Sequence, residues 1–437
     1  MKSRILLPIT LLAISTLVSI SSHAQFLMDL VDTTKAEGKG ILGIYKKYDH
    51  LRLSGYLQPQ YQHAEVNGAH SFEGGDFAPR VRDRFMLRRS RVRFDYVTFG
   101  DSHVPGIQIV FQFDANERGF TVRDIWGRIT ENKFKVFSLT AGLFARPFGF
   151  EVNYSTGDRE TPERGRMSQL LMKGERDLGV MGSFEVRKPV HAFKHLKVDL
   201  GLFNGQGINS SGDYDNKKDL IGRVGLKPLD LGKKLILSGG GSILYGGVVN
   251  NTKYHYSTET KNGVAIQTID SISYNAGSFS PRKYYGLDGQ LKFRNTKGFT
   301  ELRGEFINGS QTGTLATSET PVALLNGTDG FVTRRFIGGY AYFLQHLGSL
   351  RHQLVLKYDL YDPNTHVEGA RIGAPGAGFT AADIKYYTFG AGYIYYMTEN
   401  VKWMFYYAHP INENTSLAGY TTDQKDDVFT LRLQFRF

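Results

Sequence analysis

The sequence predicts an all-β protein: a transmembrane antiparallel β-barrel of about sixteen strands, with long outer loops, one of them folded inward. Three observations predict it. Runs of roughly ten residues alternate apolar and polar side chains, as strands do that face lipid on one side and water on the other. The gaps between these runs are alternately short and long, like the periplasmic turns and outer loops of such barrels. Finally, mean hydropathy is only −0.30, yet the chain holds 25 Tyr and 30 Phe. An apolar exterior and a polar interior average to that value.

The N-terminus reads as a targeting segment. Lys2 and Arg4 precede an apolar run, Ile5 to Ile20, and Ser22-His23-Ala24 supplies the small residues of a cleavage site. The expected organisation is a signal peptide at 1–24, a periplasmic extension at 25–50 with a short helix near Phe26–Val31, and the barrel at 51–437. After Ala24 no stretch is long and apolar enough to cross a bilayer as a helix. The absence of Cys excludes a lipid-anchored cysteine, disulfides and thiolate metal sites. No cofactor motif is present. Removing Lys2 and Arg4 lowers the net charge from +11 to +9. A basic exported chain points to anionic solutes or lipid rather than nucleic acid. The expected location is the bacterial outer membrane.

The strands follow in order. Leu51–Tyr61 is the first and Arg84–Tyr96 the second, where Arg88 breaks the alternation and predicts a bulge at 88–90. In Gly106–Asp114, Ile107, Ile109, Phe111 and Phe113 point one way, and Gln108, Gln112 and Asp114 the other. Thr121–Ile129, Val136–Phe144, Asp177–Phe184, Leu196–Phe203, Asp219–Lys227 and Leu235–Tyr245 come next. After the Gly246–Arg282 interruption come Lys283–Phe293, Thr300–Ile307, Phe336–Phe343, Arg351–Tyr361, Ile384–Tyr395, Val401–Tyr407 and Val428–Phe437. In the last strand Leu431, Leu433, Phe435 and Phe437 go to lipid, and Arg432, Gln434 and Arg436 go to the lumen. Tyrosine pairs at 284–285, 386–387, 395–396 and 406–407 suit interfacial girdles. Cross-strand packing in a soluble sheet is the other use for them.

About sixteen strands leave room for an aqueous channel. Because charge is costly at lipid depth, parity turns Arg89, Arg91, Arg93, Asp95, Asp124, Arg128, Arg223, Glu301, Arg303, Glu305, Lys357 and Asp359 inward. Two readings stand. The arginines form a ladder for anions, since guanidinium keeps its charge and donates in pairs to phosphate or carboxylate. Alternatively, Asp95, Asp124, Glu301, Glu305 and Asp359 neutralise them as internal ion pairs. The Ala145–Arg176 gap carries Arg146, Arg159, Arg164, Arg166 and Lys173 mixed with Asp158, Glu160 and Glu163. A loop this long either covers the mouth or folds into the lumen, and folding in would make those cations constriction residues facing Arg89–Arg93.

The segments Arg88–Phe94 (RRSRVRF), Gly142–Glu151 (GLFARPFGFE) and Glu175–Val180 (ERDLGV) together resemble the phosphate-selective porin O and P family, as does the barrel pattern of most of the mature chain. The resemblance implies a sixteen-stranded homotrimeric porin with an infolded constriction loop, passing small anionic solutes, phosphate among them. Family members often carry Lys where this chain has Arg146. Two other classes remain. One is an adhesion barrel whose Asn-, Thr- and Ser-rich outer loops contact a partner. The other is a barrel enzyme, for which no nucleophile–His–acid spacing stands out.

Overall fold

In the computed structural model, residues 50–99, 105–187, 191–210, 212–326 and 329–437 are described. The expected signal peptide (1–24) and nearly all of the extension (25–50) lie outside the described residues, as does His103.

Alternating side chains make strands, and strands with one apolar face must close on themselves or be covered. Here they close. The first nine strands run in chain order: β1 Leu51–Ala64, β2 Asp83–Phe99, β3 Pro105–Asn116, β4 Gly119–Thr130, β5 Phe137–Ala145, β6 Arg176–Glu185, β7 Leu196–Phe203, β8 Asp219–Leu231 and β9 Leu235–Val249. After the hairpin β10 His255–Lys261 and β11 Val264–Asp270 follow β12 Phe279–Asn295, β13 Gly298–Gly313, β14 Phe331–His346, β15 His352–Asp362, β16 Tyr386–Tyr396, β17 Val401–Asn412 and β18 Val428–Arg436. Of the 18 strands among the described residues, all but β10 and β11 form a closed 16-stranded antiparallel ring, with β9 pairing β12 and β18 pairing β1.

The faces divide as the alternation requires. Leu287 is 70% exposed on the outside, while its neighbour Asp288 points inward and holds Arg223. On β18, Arg432, Gln434 and Arg436 all reach lumenal groups at residues 157–163, and Leu431, Leu433 and Phe435 turn outward. Outside, aromatic rings meet across strands, as Tyr358 does with Tyr387 and Phe389 at 6.4 and 5.1 Å.

In β2 the inward face changes phase at the Arg88–Arg89 step. Arg84, Met86 and Arg88 reach Gln62, Gln60 and Glu163, then Arg89, Arg91 and Arg93 take over the inward face. This is the irregularity expected at 88–90. A second one was not expected. The β3–β4 register shifts between Gln112 and Phe113, opposite Arg123, which turns inward beside Asp124 to reach Glu175.

Several strands exceed their expected ends; β13 and β14 extend to Gly313 and back to Phe331. The Gly246–Arg282 stretch is not simply a loop. It contains the β10–β11 hairpin, whose β10 runs parallel to the start of β14 through His255–Ser257. Its turn is Asn262-Gly263, both at positive φ, the backbone that a two-residue hairpin requires.

Candidate functional site

The segment joining β5 to β6 crosses the lumen. Arg146-Pro147 ends β5, and Gly149 then takes φ +69°. A Cβ at Gly149 would lie 2.2 Å from Glu305 Oε1, so only glycine allows this approach. There the chain meets the wall: Gly149 N donates to Ser242 Oγ of β9, and Phe150 N and Glu151 N donate to the Glu305 carboxylate of β13 at 3.1 and 3.0 Å. Further on, Gln58 of β1 donates to the carbonyl of Thr156, Lys402 of β17 to that of Arg159 and Gln434 of β18 to that of Gly157. A short helix, α1 (Arg166–Leu171), buries Met167 and Leu171 before the chain returns to β6.

Four loop carboxylates fix this path. Glu151 accepts from Gly165 N, Ser168 Oγ and Tyr342 OH, and pairs with Lys357 Nζ at 3.4 Å. Burial alone would raise its pKa; Lys357 and Arg159 outweigh that and hold it at about 2. Glu160 takes both Nη atoms of Arg303 at 3.0 and 3.1 Å. Glu163 binds Arg88 at 2.7 Å, Arg89 at 2.6 Å and Arg432 at 3.3 Å. Again burial opposes the charge, and Arg88 and Arg89 hold the carboxyl well below its ordinary range. Asp158 pairs with Arg436 at 2.5 Å.

The loop is therefore pinned to the wall running from β13 through β18 to β2. On its other side, against β2–β8, a cavity of about 410 Å³ remains. Arg91, Arg93, Arg128, Arg164, Arg176, Lys197 and Arg223 line it, with the carboxylates of Asp124 and Asp199. Several of these cations share a charge: Arg91 with Asp114 at 2.7 Å, Arg93 with Asp95 at 2.6 Å, Lys197 with Asp199 at 3.0 Å and Arg223 with Asp288 at 2.5 Å. Arg128 donates only to Thr140 Oγ1, at 2.8 Å, and makes no ion pair among the described residues.

The residues singled out by sequence thus separate. Arg91, Arg93, Arg128, Arg164 and Arg223 line one cavity. Arg89 and Arg303 face inward but are committed to Glu163 and Glu160. Arg146 and Arg159 depart from the expectation of a cationic constriction: each is only 2% exposed, packed within the loop, because a loop buried in a barrel must build a small core of its own. Arg166 is held by aromatic faces, 3.5 Å from the Tyr386 ring centre and 4.2 Å from that of Phe72. Lys173 is half exposed and pairs with Glu319. The loop acids do not neutralise the loop arginines as a set; Asp158, Glu160 and Glu163 go to the wall. Glu305 is not an ion-pair partner of Arg303 but the carboxylate that receives the loop backbone.

Sequence reasoning missed Arg123, Arg176, Lys197 and Lys402. Lys197 and Asp199 oppose Val198, Leu200 and Leu202, so parity alone could have found them. Arg123 lies off-parity at an unforeseen bulge. The side chains of His63 and His70 are exposed, with Nδ1 2.7 and 3.2 Å from the carboxylates of Asp83 and Asp76.

No known family's sequence pattern matches the chain, and no curated protein matches it by sequence. Solved structures do match. OprB of Pseudomonas putida superposes with TM-score 0.53 at 10% identity, over 92% of this chain and 97% of that one. The outer membrane channel DcaP of Acinetobacter baumannii gives 0.51 at 11%, over 89% and 97%. Salmonella typhi OmpF, in complex with daunomycin, gives 0.51 at 10%, over 89% and 97%. At these identities the likeness is one of fold.

Proposed function

We propose that the chain is an outer-membrane porin, a water-filled channel through which small solutes diffuse passively, with a preference for anions. The observation that carries this is the cavity between the infolded loop and the β2–β8 wall, lined by seven cationic side chains; six of them are ion-paired, with Asp114, Asp95, Glu175, Asp124, Asp199 and Asp288, and Arg128 makes no ion pair among the described residues. Charges set in a narrow, low-dielectric passage focus field and raise the local concentration of the opposite ion. Arg91, Arg93, Arg128 and Arg223 are the cations assigned to the solute path. Arg89, Arg146, Arg159, Arg166, Lys173 and Arg303 are assigned to holding the loop that shapes it, and so is Arg164, which lines the cavity but spends its donors on Glu151 O, Val152 O and Glu175. Phosphate is one solute of the right chemistry, since guanidinium suits its geometry. Export by the signal peptide at 1–24 and assembly as a homotrimer in outer-membrane lipid complete the proposal.

Purified protein in planar bilayers should give discrete conductance steps, and a salt gradient should give a reversal potential of anionic sign. A cationic sign would remove the anion preference and leave the channel. Absence of steps would remove the channel. An adhesion barrel would then lead, for which the β10–β11 hairpin, outside the closed ring, is the specific observation.

A further inference from the structure

The lining of the lumen cavity is of two kinds. Beside the cations described above lies an apolar patch: Phe144, Val152 and Met181 belong to a buried cluster against which Trp126 packs, and all four residues line the cavity. The chain has 2 Trp. Trp403 lies on the outward face of β17, opposite Leu433. Trp126 shares the inward face of β4 with Asp124 and Arg128, half buried, with its remaining surface in the cavity. Two guanidiniums flank its ring, Arg128 at 5.1 Å and Arg93 at 5.8 Å from the centre. Arg93 is occupied by Asp95 through two hydrogen bonds. Arg128 keeps its remaining donors, having used only Nε, on Thr140.

A small inorganic anion would use the charge of this lining and none of its aromatic surface. A solute with a planar apolar body and one anionic group would use both: the ring against Trp126, the carboxylate against the open donors of Arg128. The cavity, about 410 Å³, falls within the roughly 300–1,000 Å³ of sites that hold small organic molecules. We infer that Trp126 and Arg128, with Arg93 alongside, form a subsite for aromatic carboxylates inside the channel, an inference that rests on the channel reading above.

The test uses the full-length protein in bilayers carrying chloride current, with benzoate and acetate added as probes of equal charge. Benzoate should reduce the current saturably, at concentrations at least about tenfold below those at which acetate does so. In Trp403→Phe protein, the fluorescence of Trp126 should be quenched with the same benzoate dependence. Trp126→Leu should narrow the benzoate–acetate ratio about threefold to tenfold, and Trp126→Phe should restore part of it, as a stacking role requires. Arg128→Gln should weaken benzoate binding. If chloride passes but benzoate and acetate act alike, in wild type and variants, the subsite is wrong and the channel stands. If chloride does not pass, the channel falls and the subsite with it.

Discussion

Glu163 is one carboxylate shared by three guanidiniums from opposite ends of the chain: Arg88, Arg89 and Arg432. Removing the charge would leave buried cations uncompensated, a change that typically costs about 3–5 kcal/mol. Glu163→Gln should therefore free the loop without unfolding the barrel. Trypsin should then cut at Arg159 or Arg164 in the intact protein, sites protected in the wild type, where both are buried. Glu151 makes the pH dependence explicit. Its pKa is about 2 when folded, against about 4.3 for an ordinary Glu. A depressed carboxyl contributes its stabilisation in full above the ordinary value and loses it as pH falls through the folded one. The loop should thus stay closed to an acid-active protease at pH 5 and open to it progressively between about pH 4 and pH 2. Equal protection at pH 5 and pH 2 would show that Glu151 does not hold the loop.

At the scale of elements, strands were easy to read where both faces had distinct solvents. β7 falls at Leu196–Phe203, the range its alternation marks. Extensions such as Asn308–Gly313 and Phe331–Arg335 were hidden because they rise above the lipid-facing band, where neither face need be apolar. The β10–β11 hairpin was hidden for the same reason, although Asn262-Gly263 between two Thr- and Ile-containing runs is a hairpin signal in its own right. Because this hairpin stands outside the ring, replacing residues 254–271 by a short turn should leave an unheated barrel that still migrates as a folded species in detergent gels. The removal should also uncover the cluster of Val367, Ile372, Ala377, Phe379 and Ile384, on which Ala265 packs, so protease should cut the Arg371–Lys385 region faster. A barrel lost altogether would mean that the hairpin is needed for closure.

At the scale of the whole molecule, parity places a residue on the lumenal face, but it does not name the partner across the lumen. That is why inward arginines were legible while their division between solute path and loop support was not. Arg128 and Arg303 read alike in sequence; only the loop's course gives Arg303 to Glu160 and leaves Arg128 facing the cavity. The division has a measurable consequence. Arg128→Glu or Arg223→Glu should shift the reversal potential toward cations, most strongly at about 0.01 M salt, where a charge acts over about 30 Å before it is screened. Arg303→Gln should chiefly raise current noise through a loosened loop. Equal effects on selectivity from both classes would undo the assignment.

The ring closes between β18 and β1, where Tyr56 stands opposite Arg436, and the loop's ties to Gln58, Arg88, Arg89, Arg432 and Gln434 lie on both sides of that junction. None of the ties to β18 can form before the last strand has arrived. The loop is thus a clasp over the seam, fastened after closure. The order of assembly follows: a wall first, the seam next and the narrowing of the passage last. A barrel that has not yet closed should be wide or leaky, and the narrow passage becomes a mark of completed assembly.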